Sequence, residues 1–231
     1  MRLTVFTSNQ PRHVACLEAL QQAGHEVTAV IEPKSWIYQG GSAVLTRYWG
    51  YVREAERQVF GAPRPITCPC YVLPMGELSH APQVARLVME ADRHVVFGSS
   101  YITGALAEEL IERRCLNLHL GIAPEYRGSA PNAWAAIDGN DHLIGAQVQR
   151  LSAKLDAGEI LTEYHAHHTD PFYRGMMAAR GGIDDLVGVL RCHPDIWMPI
   201  RPNDPAQQIR YARSADFTEA VAAAYLDRLG K

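Results

Sequence analysis

Two rhythms of apolar residues alternate along the first part of the chain. Residues 2–7, RLTVFT, form a β-rich apolar run. Ser8-Asn9-Gln10-Pro11 is turn chemistry opening a helix, in which Val14, Leu17 and Leu20 recur at helical spacing until Gly24 supplies a natural C-terminal cap. Residues 27–31 then form a second buried strand. A strand, a helix and a strand within about thirty residues make a βαβ unit, which implies a parallel sheet with a right-handed crossover. No G-x-G-x-x-G follows the first strand, so a dinucleotide-binding reading loses its main support.

Further along, Gly40-Gly41 marks a loop. Residues 43–60 read as a helix with Leu45, Tyr48, Val52 and Val59 as apolar contacts and Arg47, Arg53, Glu54, Glu56 and Arg57 in solvent. Residues 63–74 are a proline-punctuated connection containing Cys68-Pro69-Cys70. A helix over 80–90, a short buried strand over 94–97 and a helix over 103–114, with Leu106, Leu110 and Ile111 inward, repeat the alternation. Clean alternation predicts strands over 144–149 and 159–168. Residues 169–231 say less: 183–190 is amphipathic, 196–205 is proline-broken, and a final helix begins at Asp216 with Phe217, Val221, Ala224 and Leu226 as its packing stripe. The pattern predicts an α/β, Rossmann-like fold, a mostly parallel sheet with helices on both faces. It assigns residues 1–168 to one domain and 169–231 to a short C-terminal extension, packed on the core or forming an oligomer contact.

The chemistry concentrates between Cys115 and Leu161. Side chains alternate along a strand, so Asn117 and His119 project to one face while Leu116 and Leu118 face the core. Gly121, Pro124 and Arg127-Gly128 stop any regular element, and Pro131 stands where a helix begins. Lys154-Leu155-Asp156-Ala157-Gly158 forms a second loop, whose Asp156 can return to His119 and fix its tautomer. Singly, an Asn-x-His at a strand end is most often a satisfied polar pair, and Leu-Asp-x-Gly is most simply a turn.

Composition sets outer limits. With 231 residues and 47% hydrophobic content the chain can bury a full core as one domain. Its formal charge is −3 without any lysine- or arginine-rich block, so it lacks an electrostatic footprint for nucleic acid or an anionic membrane. No run approaches the roughly 18 apolar residues of a membrane span, and the start of the chain leads directly into a strand, which points to the cytoplasm. Five cysteines, with no second pair at zinc-ribbon spacing beside Cys68 and Cys70, disfavour a disulfide scaffold and structural zinc. His165 and His167 share a strand face, but two ligands make no metal site.

The order and spacing of Asn-x-His, Pro-x-Tyr-Arg-Gly, a short helix, a strand and Leu-Asp-Ala-Gly closely resemble the catalytic core of the folate-dependent formyltransferases, over about residues 92–162. That family includes glycinamide ribonucleotide transformylase, methionyl-tRNA formyltransferase and the sugar N-formyltransferases. The resemblance implies the formyltransferase fold, N10-formyltetrahydrofolate as formyl donor without a metal, and Asn117, His119 and Asp156 as catalytic residues. It implies that Phe97, Gly98, Ser99, Ser100 and Tyr101, with Leu155 in the loop holding Asp156, bind the pterin ring largely through backbone groups. Many members carry Thr and His where this chain has Gln147 and Gln149. Gln149 is expected either to replace that histidine in orienting Asp156 or to be a strand-face residue in water. Arg127 is expected to meet an anion of the substrate or to brace a loop through its carbonyls.

For the acceptor, the negative charge and the roughly sixty residues after the core argue against tRNA, and a nucleotide-linked amino sugar is the expected small amine; a homodimer is left open. Three other readings stand beside it: a formyltetrahydrofolate hydrolase of the same fold, a non-catalytic folate-binding module, and an ordinary nucleotide-binding α/β protein.

Overall fold

A computed structural model describes residues 1–34, 42–192 and 194–231. The loop expected at Gly40-Gly41 lies outside the described residues. In chain order the elements are β1 (Arg2–Thr7), α1 (Pro11–Gln22), β2 (Glu26–Ile31), α2 (Ala43–Phe60), β3 (Cys70–Val72), α3 (Pro82–Glu90), β4 (Arg93–Val96), α4 (Gly104–Glu112) and β5 (Leu116–His119). There follow β6 (Tyr126–Gly128), α5 (Pro131–Ile137), β7 (Gly145–Arg150), β8 (Ile160–His165), α6 (Pro171–Arg191), β9 (Arg210–Ala212) and α7 (Glu219–Arg228).

A seven-stranded sheet runs β3-β2-β1-β4-β5-β7-β8. Its first five strands are parallel; β7 runs antiparallel to β5, and β8, antiparallel to β7, resumes the common direction. The chain winds outward from β1 to β3, then crosses back to β4 and β5. The reversal leaves a crevice outside the carboxyl ends of β1 and β4, where ligands of open α/β sheets bind.

Alternation along the strands divides the core. Leu3, Val5, Val95, Leu116 and Leu118 face α1 and α6, whereas Phe6, Val30 and Val96 face α3 and α4. A third cluster joins Tyr48 of α2, Tyr126, Trp134, Phe172 and Tyr225. Helices thus cover both faces.

Within residues 169–231, α6 supplies Ala178, Ala179, Ile183, Leu186, Val189 and Leu190 to the main core and lies against β5 and β7, the packed one of the two places left open for this segment. Its glycines permit that approach. A Cβ at Gly181 would stand 2.4 Å from the Tyr164 ring, and one at Gly182 would stand 2.7 Å from Ala146 Cβ and 2.8 Å from Leu118 Cδ1. Several expectations need correction. The segment at Arg127-Gly128 is not irregular but forms β6, paired in parallel with β9, and the proline-rich connection contains the edge strand β3. Glu56 is not solvated; it is buried and paired with Arg12. Ala224 is exposed, and α7 buries Ala222, Tyr225 and Leu226 instead.

Candidate active site

β5 is where the sheet changes from parallel to antiparallel neighbours, and its last residues open onto a cavity of about 750 Å³. Asn117 and His119 share the strand face opposite to Leu116 and Leu118, as period 2 requires. Across the ladder they stand opposite Gln149 and Gln147 of β7. Gly121 follows closely behind the imidazole. A Cβ there would meet Pro131 Cγ at 2.5 Å and His119 Nε2 at 2.7 Å, so the turn needs glycine.

Asp156 enters from the loop between β7 and β8. One oxygen, Oδ1, lies 3.2 Å from His119 Nδ1 and accepts from Asn117 Nδ2 at 3.1 Å; the other, Oδ2, accepts from Gly128 N at 2.9 Å. The three residues expected to act together are therefore joined through the Asp156 carboxylate and line the cavity.

On its far side, His119 Nε2 is 3.1 Å from the Tyr126 carbonyl oxygen. With a carboxylate on one nitrogen and a carbonyl on the other, both bonds form only when the ring carries two protons. The side chains of His119 and Asp156 are 5% and 7% exposed, so little solvent screens the pair. Burial alone pushes the imidazole toward neutrality, but the Asp156 charge, its hydrogen bond and the Tyr126 carbonyl outweigh it, and the His119 pKa is raised. Burial likewise opposes ionisation of Asp156, yet His119, Gly128 N and Asn117 hold its carboxyl below the ordinary carboxylate range.

Other expected site residues take different places. Arg127 is not among the residues that line the cavity. Its Nε donates to the Leu155 carbonyl at 3.0 Å, its Nη2 to the same oxygen, and its Nη1 to Gln208 Oε1 at 3.2 Å, so it braces the loop that carries Asp156. Those bonds also engage the carbonyl of Leu155. Gln149 does not orient Asp156, nor does it stand in water: it is 0% exposed, its Nε2 donates to Gln147 Oε1 at 2.7 Å, and its Oε1 is buried without a partner. Gly128 N and Asn117 fix the carboxylate instead.

In the segment after β4, the Phe97 N–H donates to Phe6 O, and its carbonyl accepts from Thr7 Oγ1 at 2.7 Å. Ser100 N and Oγ donate to the buried Glu32 carboxylate at 2.6 and 2.8 Å. These N–H groups are engaged within the protein, and Phe97, Gly98, Ser99, Ser100 and Tyr101 all line the cavity. Gly98 has φ +78, and a Cβ there would fall 2.3 Å from His13 Nε2.

Among the described residues no group of three His, Cys, Asp or Glu side chains is placed to hold a metal ion. His165 is engaged by Glu163 at 2.6 Å and by the His142 carbonyl at 2.9 Å. No helix among the described residues is long and apolar enough to cross a membrane.

Sequence reading missed the other end of the cavity. Arg12 and Lys34 line it, after β1 and β2. Glu56 holds Arg12 in place, 2.7 Å from its Nη1 and 3.2 Å from its backbone N. Burial and then the neighbouring Arg12 lower the Lys34 pKa, with Glu32 partly offsetting them. The one usable signal was position, since residues just past parallel strands border the crevice.

Comparison with known proteins agrees with this architecture. Residues 76–170 match a family model described as Formyl transferase. The methionyl-tRNA formyltransferase of Ruegeria pomeroyi is 27% identical over 226 residues, covering 94% of this chain and 68% of that relative. The one from Bordetella petrii is 31% identical over 131 residues, 55% of this chain and 40% of the relative. The chain thus spans about two thirds or less of the length of these curated relatives. Among solved structures, a 4-N formyltransferase from Francisella tularensis superposes with a TM-score of 0.62 at 16% identity, covering 97% of this chain and 86% of the other. The formyltransferase PseJ from Anoxybacillus kamchatkensis, solved with UDP-4,6-dideoxy-4-formamido-L-AltNAc and tetrahydrofolate, gives 0.56 at 15% identity, covering 94% and 88%. At these identities the structural likeness shows a shared fold.

Proposed function

We propose that this chain, a member of the formyl transferase family, moves the formyl group of N10-formyltetrahydrofolate to the amine of a small acceptor, with a nucleotide-linked amino sugar as the favoured class. The observation that carries the reading is the convergence of Asn117, His119 and Asp156 at the cavity floor, inside the matched segment. Cavity shape supports the donor. Gly98, Ser99 and Tyr101 form one wall, and Leu155 and Asp156 close it from the other side. Arg12 and Lys34 at the far end favour an acceptor that carries negative charge.

The bound donor supplies a formyl carbon open to attack by an amine. As the new C–N bond forms, the formyl oxygen gains negative charge that preorganised donors must stabilise. The second N–H of Asn117 and the imidazolium of His119 are the donors at hand; His119 Nε2 exchanges the Tyr126 carbonyl for that oxygen. The proton lost by the amine passes to the Asp156 carboxylate, directly or through one water, and His119 returns a proton to the folate nitrogen as the old C–N bond breaks. Gln149 Oε1, buried and unpartnered across the ladder from Asn117, accepts an N–H of the incoming amine.

A second reading, transfer to methionyl-tRNA, is favoured by the names of the curated relatives. A panel of amines incubated with N10-formyltetrahydrofolate, followed by tetrahydrofolate release, separates the two. The reading predicts turnover with a nucleotide-linked amino sugar. Turnover with methionyl-tRNA and no small amine supports the second reading, and equal release without any amine indicates a hydrolase.

A further inference from the structure

Asp156 has φ +49, a left-handed backbone that strains any residue with a Cβ by about 1 kcal/mol or more. Such a conformation persists only where its surroundings over-determine it. Arg127 ties down the preceding carbonyl, of Leu155. The next carbonyls are held from the other side by one amide: Asn203 Nδ2 donates to Asp156 O at 3.1 Å and to Gly158 O at 2.9 Å, one proton to each. Gly158 leaves the loop no room to shift toward β7, since a Cβ there would fall 1.7 Å from the Arg150 carbonyl oxygen.

Asn203 is firmly mounted. Two residues before it, Arg201 donates to Glu163 at 2.8 Å, to Glu125 at 2.9 Å and to the Ala123 carbonyl at 2.8 Å. Ile200 N donates to Ile160 O at 2.9 Å and fastens the same segment to the start of β8. Asn203 itself lies outside the cavity lining. From these contacts we propose that Asn203 is a positioning residue: it fixes the strained backbone of Asp156 so that the carboxylate meets His119 Nδ1 and Asn117 Nδ2. The segment after α6, which carries no motif of its own, thereby completes the site. This inference rests on the reading of Asp156 as part of the formyl-transfer apparatus.

The test uses Asn203→Leu, which keeps size and removes both donors, beside Val189→Ala, a core truncation in α6 remote from the cavity. Should the leucine variant fail to fold, Asn203→Ser replaces it. His119 is titrated by NMR in histidine-labelled protein, its signal assigned by loss in His119→Gln. In Asn203→Leu the midpoint falls toward the ordinary imidazole value of about 6.5, while in Val189→Ala it stays at the wild-type position. The kcat falls about tenfold, as misplacement of a reacting group by a fraction of an ångström does, and KM for the formyl donor changes by less than about twofold. An unchanged His119 midpoint in Asn203→Leu, or an equal shift in Val189→Ala, overturns the proposal. Because the titration needs no turnover, it decides the matter even if the wild-type protein transfers no formyl group.

Discussion

Replacing Asp156 by asparagine keeps the shape of the side chain and removes its charge, and the structure sets the size of the effect. The carboxylate accepts from His119 Nδ1, Asn117 Nδ2 and Gly128 N. An amide oxygen can serve one side of that arrangement, but its NH₂ must then face another N–H. Loss of the charge-assisted bond to His119 costs roughly 1.5–3 kcal/mol, and leaving a donor such as Gly128 N unsatisfied costs roughly 1–3 kcal/mol more. The total, about 2.5–6 kcal/mol, brackets the usual cost of about 3–5 kcal/mol for breaking a buried pair. For a chain of this size about 3 kcal/mol corresponds to a Tm lowered by roughly 6–12 °C. The pH dependence gives a sharper check. Asp156 is held below its ordinary pKa, so its contribution is present above the unfolded carboxylate value of about 3.9 and is lost as pH falls through the folded one. His119 is raised, so its contribution is fully present below about 6.5 and is lost as pH rises through the folded value. Urea unfolding of wild type and Asp156→Asn should therefore show the largest difference between about pH 4 and 6.5, narrowing on both sides. A difference that stays constant from about pH 3 to 9 would refute a coupled buried pair.

Gly98→Ala places a Cβ against the His13 imidazole in a backbone conformation reserved for glycine, so KM for the formyl donor should rise about tenfold or more while acceptor binding, measured by calorimetry, holds. Equal loss of both affinities would mean that the loop after β4 is not the donor wall. Glu56→Gln removes a carboxylate that is 2% exposed and leaves the partly covered Arg12 guanidinium, 16% exposed, beside a neutral amide; denaturant unfolding should show a loss of about 3 kcal/mol. A loss under about 0.5 kcal/mol would put that pair among surface ion pairs instead.

What the sequence disclosed and concealed follows from the range of the interactions. The parallel sheet was legible because β1, α1 and β2 announce themselves by local periodicity, and the Asn117–His119 pair because two residues on one strand share a face by geometry alone. The first half of α6 was hidden because Gly175, Gly181 and Gly182 weaken any propensity-based reading; Gly181 and Gly182 are also what lets the helix touch Tyr164, Ala146 and Leu118. Glu56 looked solvated among neighbouring charges, since its partner lies 44 residues away on another helix. The three-residue strands β3, β6 and β9 are too short to carry a rhythm. Asn203, Arg127 and Gln149 owe their places to contacts across the fold, and no local pattern marks which carbonyl or amide each will meet.

The central claim is that Asn117, His119 and Asp156 transfer a formyl group to an amine, and the most direct measurement follows ¹³C-labelled formyl from N10-formyltetrahydrofolate by NMR in wild-type protein and in His119→Ala. The account predicts that wild type delivers the label to the amine of a nucleotide-linked amino sugar. It also predicts that His119→Ala still binds the donor within about threefold but loses at least about a hundredfold in turnover, as removal of one preorganised donor does. Label appearing only as free formate, or an alanine variant that transfers the formyl group at the wild-type rate, would contradict it.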